Sequence, residues 1–393
     1  MIQPGLITAQ SSYRVPPEEF AILPWGHTPA TTSVLEGIRD CGFNLAGFVS
    51  ADSVGAVEAA GLKCIVSSGA IRVNGDGCRM TQEEIRKSVS DLARQVGSQP
   101  AVFGFYLQDE PVWTQFPCLG KWAQAVRETA PNVRPYINLF PNYVGASALP
   151  NGNYDDYLTS FVEQVKPAFI SYDHYAMMED GSVKEGYFAN LESVRAVGQK
   201  HGLPFWNIVL GNAHFAFAEP SPATLRFQVF TTLAYGGRGI SYFTYFAPSI
   251  GNYRLAPIDQ FGHKTPTWDM MRLVNLQIHA LAPEYLKLKS INTFHHPTLP
   301  PGCRGLDSSR YLKGLSGGEL LVGEFEQADG KPAMIVVNKS LTRAAMIDVA
   351  LKKPGKIRMV NPYSGGIGNW DGENNWLAPG QGILLLVEPE PGA

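Results

Sequence analysis

Short apolar runs recur along the first two thirds of the chain, separated by segments whose apolar positions return every three or four residues. The runs Ala21–Trp25, Phe43–Val49, Lys63–Ser67, Val102–Gln108, Arg134–Leu139, Ala168–Tyr172, Pro204–Leu210 and Gly239–Tyr245 predict strands. Their nearly continuous apolar character suits strands buried on both faces, as in parallel sheets. Helical spacing predicts helices over Thr32–Cys41, Ser53–Ala60, Thr81–Val96, Leu119–Ala130, Tyr154–Val165, Gly186–His201, Ala223–Tyr235 and Thr267–Leu281. In the clearest of these, Ile85, Val89, Leu92 and Val96 share one face, and Thr81 with Glu84 forms a capping box. Eight alternating units predict an α/β fold, a closed (β/α)8 TIM barrel over residues 1–285.

Beyond about residue 285 the pattern changes to short β-like runs set between Gly, Pro and Asn turns: Glu319–Phe325, Ala333–Asn338, Ala345–Leu351, Lys356–Asn361 and Gly382–Val387. Several alternate apolar with polar residues and no strong helix intervenes. Residues 286–393 are therefore expected to form a connecting segment and a C-terminal antiparallel β-sandwich-like domain packed on the barrel.

Charge and composition narrow the setting. The net charge is -3, only 17% of residues are charged and no basic run occurs, which speaks against nucleic acid or an anionic membrane surface as partner. No apolar stretch reaches membrane-spanning length. The opening Met1–Gly5 segment lacks a basic region followed by an apolar core, so no signal peptide is visible there. Five scattered cysteines, Cys41, Cys64, Cys78, Cys118 and Cys303, favour reduced thiols and offer no metal knuckle, while leaving room for a single disulfide. No Gly-rich phosphate loop opens a helix and no GxSxG elbow appears, so neither a nucleotide cofactor nor a serine nucleophile is expected.

The most informative stretch is Val102-Phe-Gly-Phe-Tyr-Leu-Gln-Asp-Glu-Pro111. A doubly buried strand cannot run through Asp109 and Glu110 without burying unpaired charge, so both acids are expected at its C-terminal mouth, where barrel active sites lie. Burial among Phe105, Tyr106 and Trp113, next to Asp109, would favour the protonated form of Glu110 and make it a general acid/base. The plainer alternative is that Asp109 caps the following turn and Glu110 makes a structural ion pair.

Leu107-Gln-Asp-Glu-Pro111 resembles the acid/base segment of the (β/α)8 glycoside hydrolases that include cellulases and β-galactosidases, where an Asn-Glu or related pair closes strand 4. The resemblance extends to the layout of the barrel and to the trailing β-domain. It implies that Glu110 donates a proton to the glycosidic oxygen and that Asp109 stands where that group's Asn holds the sugar 2-hydroxyl. Strand 7 departs from the pattern: Leu203-Pro-Phe-Trp-Asn-Ile-Val-Leu-Gly-Asn212 carries no acid in the nucleophile's place, and the nearest downstream is Glu219. The competing second carboxylate is Asp173, at the mouth of predicted strand 6, two strands from Glu110. An inverting pair needs carboxyls about 6.5–9.5 Å apart and a retaining pair about 5–5.5 Å. The acids at strand 4 with Tyr-Asp at strand 6 also resemble chitinase-like barrels, in which the substrate's acetamido group attacks; Asp173 as a loop anchor is the plainer reading.

Sugars present an apolar ring face rimmed by hydroxyls, so their sites combine aromatic faces with hydrogen-bonding groups. The predicted strand ends offer Trp25 and His27; Asn138, Asn142 and Tyr143; His174 and Tyr175; Trp206 and Asn207; Asn212 and His214; and Tyr242 and Tyr245, whereas Phe205 and Phe243 read as core. Two rivals are a metal-dependent barrel hydrolase, drawing ligands from His27, Asp109, Glu110, Asp173, His174 and His214, and a non-catalytic carbohydrate-binding barrel. The favoured expectation is a cofactor-free glycoside hydrolase acting on β-linked oligo- or polysaccharide, with Glu110 and Asp173 leading and Asp109 and Glu219 behind. The sequence leaves the sugar, its linkage and the oligomeric state open.

Overall fold

The computed structural model describes residues 13–97 and 99–390, so the Met1–Gly5 opening lies outside the described residues. Eight parallel strands form the barrel: β1 (Ala21–Pro24), β2 (Leu45–Val49), β3 (Lys63–Val66), β4 (Val102–Asp109), β5 (Arg134–Leu139), β6 (Ile170–Asp173), β7 (Phe205–Leu210) and β8 (Gly239–Phe243). Each is followed by its helix: α1 (Thr32–Asp40), α2 (Val54–Ala59), α3 (Gln82–Val96), α4 (Phe116–Thr129), α5 (Tyr154–Val165), α6 (Tyr187–His201), α7 (Pro222–Ala234) and α8 (Pro266–Tyr285). The capping box at Thr81 and Glu84 is present, and Ile85, Val89, Leu92 and Val96 are the buried residues of α3.

The strands are hydrogen-bonded in the order β1-β8-β7-β6-β5-β4-β3-β2, which leaves a seam between β1 and β2. Side chains and loop backbone close it. Asn44 Oδ1 accepts from Ile22 N (2.8 Å), and beyond the end of β1 Phe48 N donates to Gly26 O (2.7 Å) while Thr28 N donates to Phe48 O (3.1 Å). Gly47 is required in this crossing, because a Cβ there would stand 2.2 Å from Gly26 O.

Aromatic rings fill the barrel interior. Phe103, Phe169 and Trp206 form its floor, with Phe169 and Trp206 stacked at 4.0 Å, and Tyr136, Phe48 and Tyr106 lie in the same cluster. This dry plug lies within the strands whose C-terminal ends carry the acids.

The C-terminal region is antiparallel, as expected. Its main sheet contains β9 (Lys289–His296), β11 (Leu320–Glu326), β12 (Pro332–Asn338), β15 (Gly355–Val360), β16 (Ile367–Asn369) and β18 (Gly382–Pro389), in the order 16-15-18-12-11-9. Two small pairs, β10 (Leu312–Ser316) with β14 (Asp348–Leu351) and β13 (Ala345–Met346) with β17 (Trp376–Leu377), accompany it. One face packs on α7, whose residues are all buried except Pro222 and Arg226. Gly323 of β11 makes that approach possible, since a Cβ there would meet Ala234 O at 1.9 Å. Leu321, Phe325, Ile335, Val337 and Leu384 join the barrel's outer core, while Phe294, Val322, Met334 and Leu385 build a second cluster on the sheet's other face. No helix among the described residues is long and apolar enough to cross a membrane.

Reduced thiols were the expectation for the cysteines, and two depart from it: Cys78 and Cys118 form a disulfide, while Cys41, Cys64 and Cys303 are free. A pairing 40 residues apart leaves no spacing signature to read. The bridge ties the β3–α3 loop to the start of α4. Cys78→Ser should cost about 2–4 kcal/mol by restoring chain entropy to the unfolded state, measured as a lower urea midpoint. An unchanged midpoint would show that the loop is held by its other contacts.

Candidate active site

The acids owe their aim to two irregularities of the backbone. The register of β4 shifts against β5 between Tyr106 and Gln108, after which Asp109 pairs with Asn138. Glu110 then turns left-handed (φ 44°), a conformation that costs a non-glycine residue about 1–2 kcal/mol. Neighbouring residues on a regular strand point to opposite faces. Here the turn brings Glu110 into the same cluster as Asp109, while Glu110 N still donates to Asn138 O (2.9 Å).

Asn138 organises the cluster. Its Nδ2 donates to Asp173 Oδ1 (2.9 Å) and Asp109 Oδ1 (3.1 Å), and its Oδ1 accepts from Ser171 Oγ (3.1 Å), 3.2 Å from the Tyr136 hydroxyl. Asp173 is buried, and its carboxyl is hydrogen-bonded to that of Glu110. A bond between two carboxyls needs a proton. Burial, then the charge of Glu110, hold Asp173 well above the usual carboxylate range. Burial and the charge of Asp109 push Glu110 up to about 7, against the hydrogen bond from Asp173, which favours its ionised form. Asp109 is also raised by burial, a shift opposed by its bond from Asn138. Both carboxyls are thus pushed toward their protonated forms, Asp173 the more strongly because it is the more deeply buried.

A cavity of about 600 Å³ opens beside Asp109, lined by Ser67, Arg72, Asn74, Tyr106 and Gln108 among others. Larger hollows of about 910 and 1220 Å³ open around Arg195 and Arg127, but neither is lined by Asp109, Glu110 or Asp173. Aromatic rings gather at the other side of the mouth. Phe243 lies 5.7 Å from Trp25, 5.4 Å from Tyr175 and 5.5 Å from His214, ring centre to ring centre. Burial lowers His214 to about 4, so it is neutral at pH 7, and its Nδ1 is 3.0 Å from Asn212 Oδ1. Tyr143 is 41% exposed, with the Lys184 ammonium 3.7 Å above its ring.

Several expected mouth residues face elsewhere, because nearness to a strand end does not set which side a residue takes. Trp206 lies in the barrel floor. Asn207 points outward to Thr232 of α7 (2.9 Å), Tyr242 donates to Asn275 of α8 (2.8 Å), and Tyr245 accepts from Trp268 Nε1 (2.9 Å). His174, directly after Asp173, is fully buried against Tyr143 and Tyr187, and burial lowers it to about 3. Asn142 braces α6 through Gly186 O and Asn190. His27 is exposed on the loop after β1. Glu219 is also exposed, 2.9 Å from Arg254 Nε. Among the described residues no three His, Cys, Asp or Glu are grouped as metal ligands, and the six candidates named above are not gathered into a set. Phe243, read as core, lines the mouth instead; alternation from Gly239, which faces Trp206 inside the barrel, places it there. Tyr106, expected beside Glu110, lines the cavity next to Asp109, whereas Gln108 was missed because the bulge in β4 breaks alternation.

No protein-family model matches the chain, and no curated protein does so either. Solved structures do resemble it. A glycoside hydrolase family 5 protein from Bacteroides vulgatus superposes with a TM-score of 0.60 at 12% identity, over 94% of this chain and 89% of that one. A structure described as a glycoside hydrolase gives 0.60 at 11% identity, over 95% and 93%. The β-galactosidase of the psychrophilic Marinomonas ef1 gives 0.52 at 12% identity, over 68% of this chain and 62% of that one. The chain shares the fold of these glycoside hydrolases. The match to the first two runs through barrel and C-terminal sheet alike, so the appended domain belongs to the shared architecture.

Proposed function

We propose that the protein is a glycoside hydrolase acting on β-linked glycan, with Glu110 as the general acid. The observation that carries the reading is the Glu110–Asp173 carboxyl pair, held by Asn138 at the mouth of a barrel plugged with aromatic rings. A carboxyl titrating near 7 can be protonated in the resting enzyme and still give its proton up to a leaving oxygen. Asp109, facing the 600 Å³ cavity, is suited to hold a sugar hydroxyl and to stabilise positive charge developing on the ring.

Asp173 takes a different part from the water-activating base weighed on sequence grounds. Two carboxyls that share a hydrogen bond leave no room between them for the water and sugar that an inverting pair must hold. Asp173 is a positioning residue that donates to Glu110 and thereby keeps its pKa from rising further. Glu219, paired with Arg254, is a brace between loops.

The test is hydrolysis of p-nitrophenyl β-glycosides and β-linked oligosaccharides, followed across pH. The alkaline limb of kcat/KM should fall near pH 7. Asp173→Ala removes the donor and should move that limb up by about one pH unit, whereas Asp173→Asn keeps a donor and should leave it near the wild-type position. Loss of all turnover in both variants, with inverted product in the wild type, would restore Asp173 as the base. Binding without turnover by the wild type would instead support a carbohydrate-binding barrel, and loss of activity on chelation the metal-dependent alternative.

A further inference from the structure

At the mouth, on the loop after β7, stands an aromatic residue that packing alone does not explain. Phe215 is 71% exposed and left-handed (φ 47°), a conformation Asn or Gly would adopt at less cost. Asn252 holds it from the β8–α8 loop, with Oδ1 accepting from Phe215 N (2.8 Å) and Nδ2 donating to Phe215 O (3.0 Å). The two loops are further joined by reciprocal 3.0 Å backbone bonds between Ala213 and Arg254. The Arg254 guanidinium binds Glu219 (2.9 Å) and, in the loop after β6, Glu179 (2.7 Å). An exposed ring is thus presented on a fixed support, which reduces the entropy lost when something stacks on it.

The ring also has a direction. Its centre is 4.9 Å from that of His214, on which Tyr253 stacks at 4.8 Å, and His214 adjoins Phe243 and through it Trp25. A run of packed rings, meeting mostly edge to face, therefore leads from the mouth out to Phe215 at the rim on the β7–β8 side. In the strand order, β3 and β4 lie across the barrel from β7 and β8, and there the polar cavity beside Asp109 opens. The acid pair, from β4 and β6, lies between the two.

We propose that the mouth takes an extended glycan chain. One end sits in the polar β3–β4 cavity, the chain passes Glu110, and a later sugar stacks its apolar face on Phe215. This rests on the glycoside hydrolase reading and adds to it that the substrate is a chain, with Phe215 setting the preference for length.

The experiment compares kcat/KM for a p-nitrophenyl β-monoglycoside and for oligosaccharides of the same sugar. Phe215→Asn removes the ring but suits the left-handed backbone, so the fold should hold, with unfolding temperature as the control. The oligosaccharide-to-monoglycoside ratio should drop about tenfold, the worth of one stacked face, and Phe215→Tyr should keep it. A ratio unchanged in Phe215→Asn, or lost equally in Phe215→Tyr, overturns the chain-binding proposal while leaving the hydrolase reading intact. A wild-type protein that cleaves neither substrate overturns both.

Discussion

Glu110→Gln is expected to keep the fold and lose about 10²-fold to 10⁴-fold in the rate of glycan hydrolysis, the usual worth of a positioned general acid. Substrates with good leaving groups should lose less, because their departing oxygen needs little protonation. The same substitution should affect stability with the opposite sign. Folding raises the Glu110 pKa from 4.5 to about 7, so the folded state binds its proton more tightly than the unfolded chain. The resulting cost is absent below the unfolded value, develops between the two, and is complete above about 7. Allowing for solvent screening of a partly exposed group, the Gln variant should be more stable than wild type by about 1 kcal/mol at pH 8 and equal to it at pH 4. Thermal unfolding at the two pH values would show this. A variant that hydrolyses natural glycan at the wild-type rate would remove Glu110 from its role.

Removal of the chain after residue 310 is expected to abolish soluble protein. The truncated barrel would lose Leu321, Phe325, Ile335, Val337 and Leu384 from its outer core, and each buried side chain of that size is worth about 1.5–3 kcal/mol. Their sum is comparable with the roughly 5–15 kcal/mol net stability of a folded protein. Phe230, Ala234 and Tyr285, now covered by Gly382, Gly323 and Phe325, would be left facing water. None of the three clustered acids is removed, so the loss would be one of folding. A soluble fragment with the full-length unfolding temperature would refute intimate packing.

The eight strands and eight helices of the barrel were legible because each carries its own signal: an apolar run, a helical stripe or a capping box. The position of Asp109 and Glu110 was legible for a physical reason as well, since charge ends a buried strand. Their shared direction was not, because it comes from a register shift and a left-handed residue that composition does not announce. Trp206, Asn207, Tyr242 and Tyr245 were misplaced by counting distance to the strand end without counting alternation. β9 was missed because Asn292, Thr293 and His295 are buried through hydrogen bonds and ring contacts, so the strand carries no run of apolar letters. The carboxyl contact between Glu110 and Asp173 lies 63 residues apart in sequence and needed the closed barrel to be seen.

The burial of α7 on both sides bears on how this protein can change over evolutionary time. A helix covered by barrel strands inside and by an appended sheet outside has almost no position where a side chain can drift freely. Diverging descendants of this chain should therefore keep Pro222–Ala234 nearly as strictly as the Gln108–Pro111 segment. In that helix, invariance would record fit rather than chemistry.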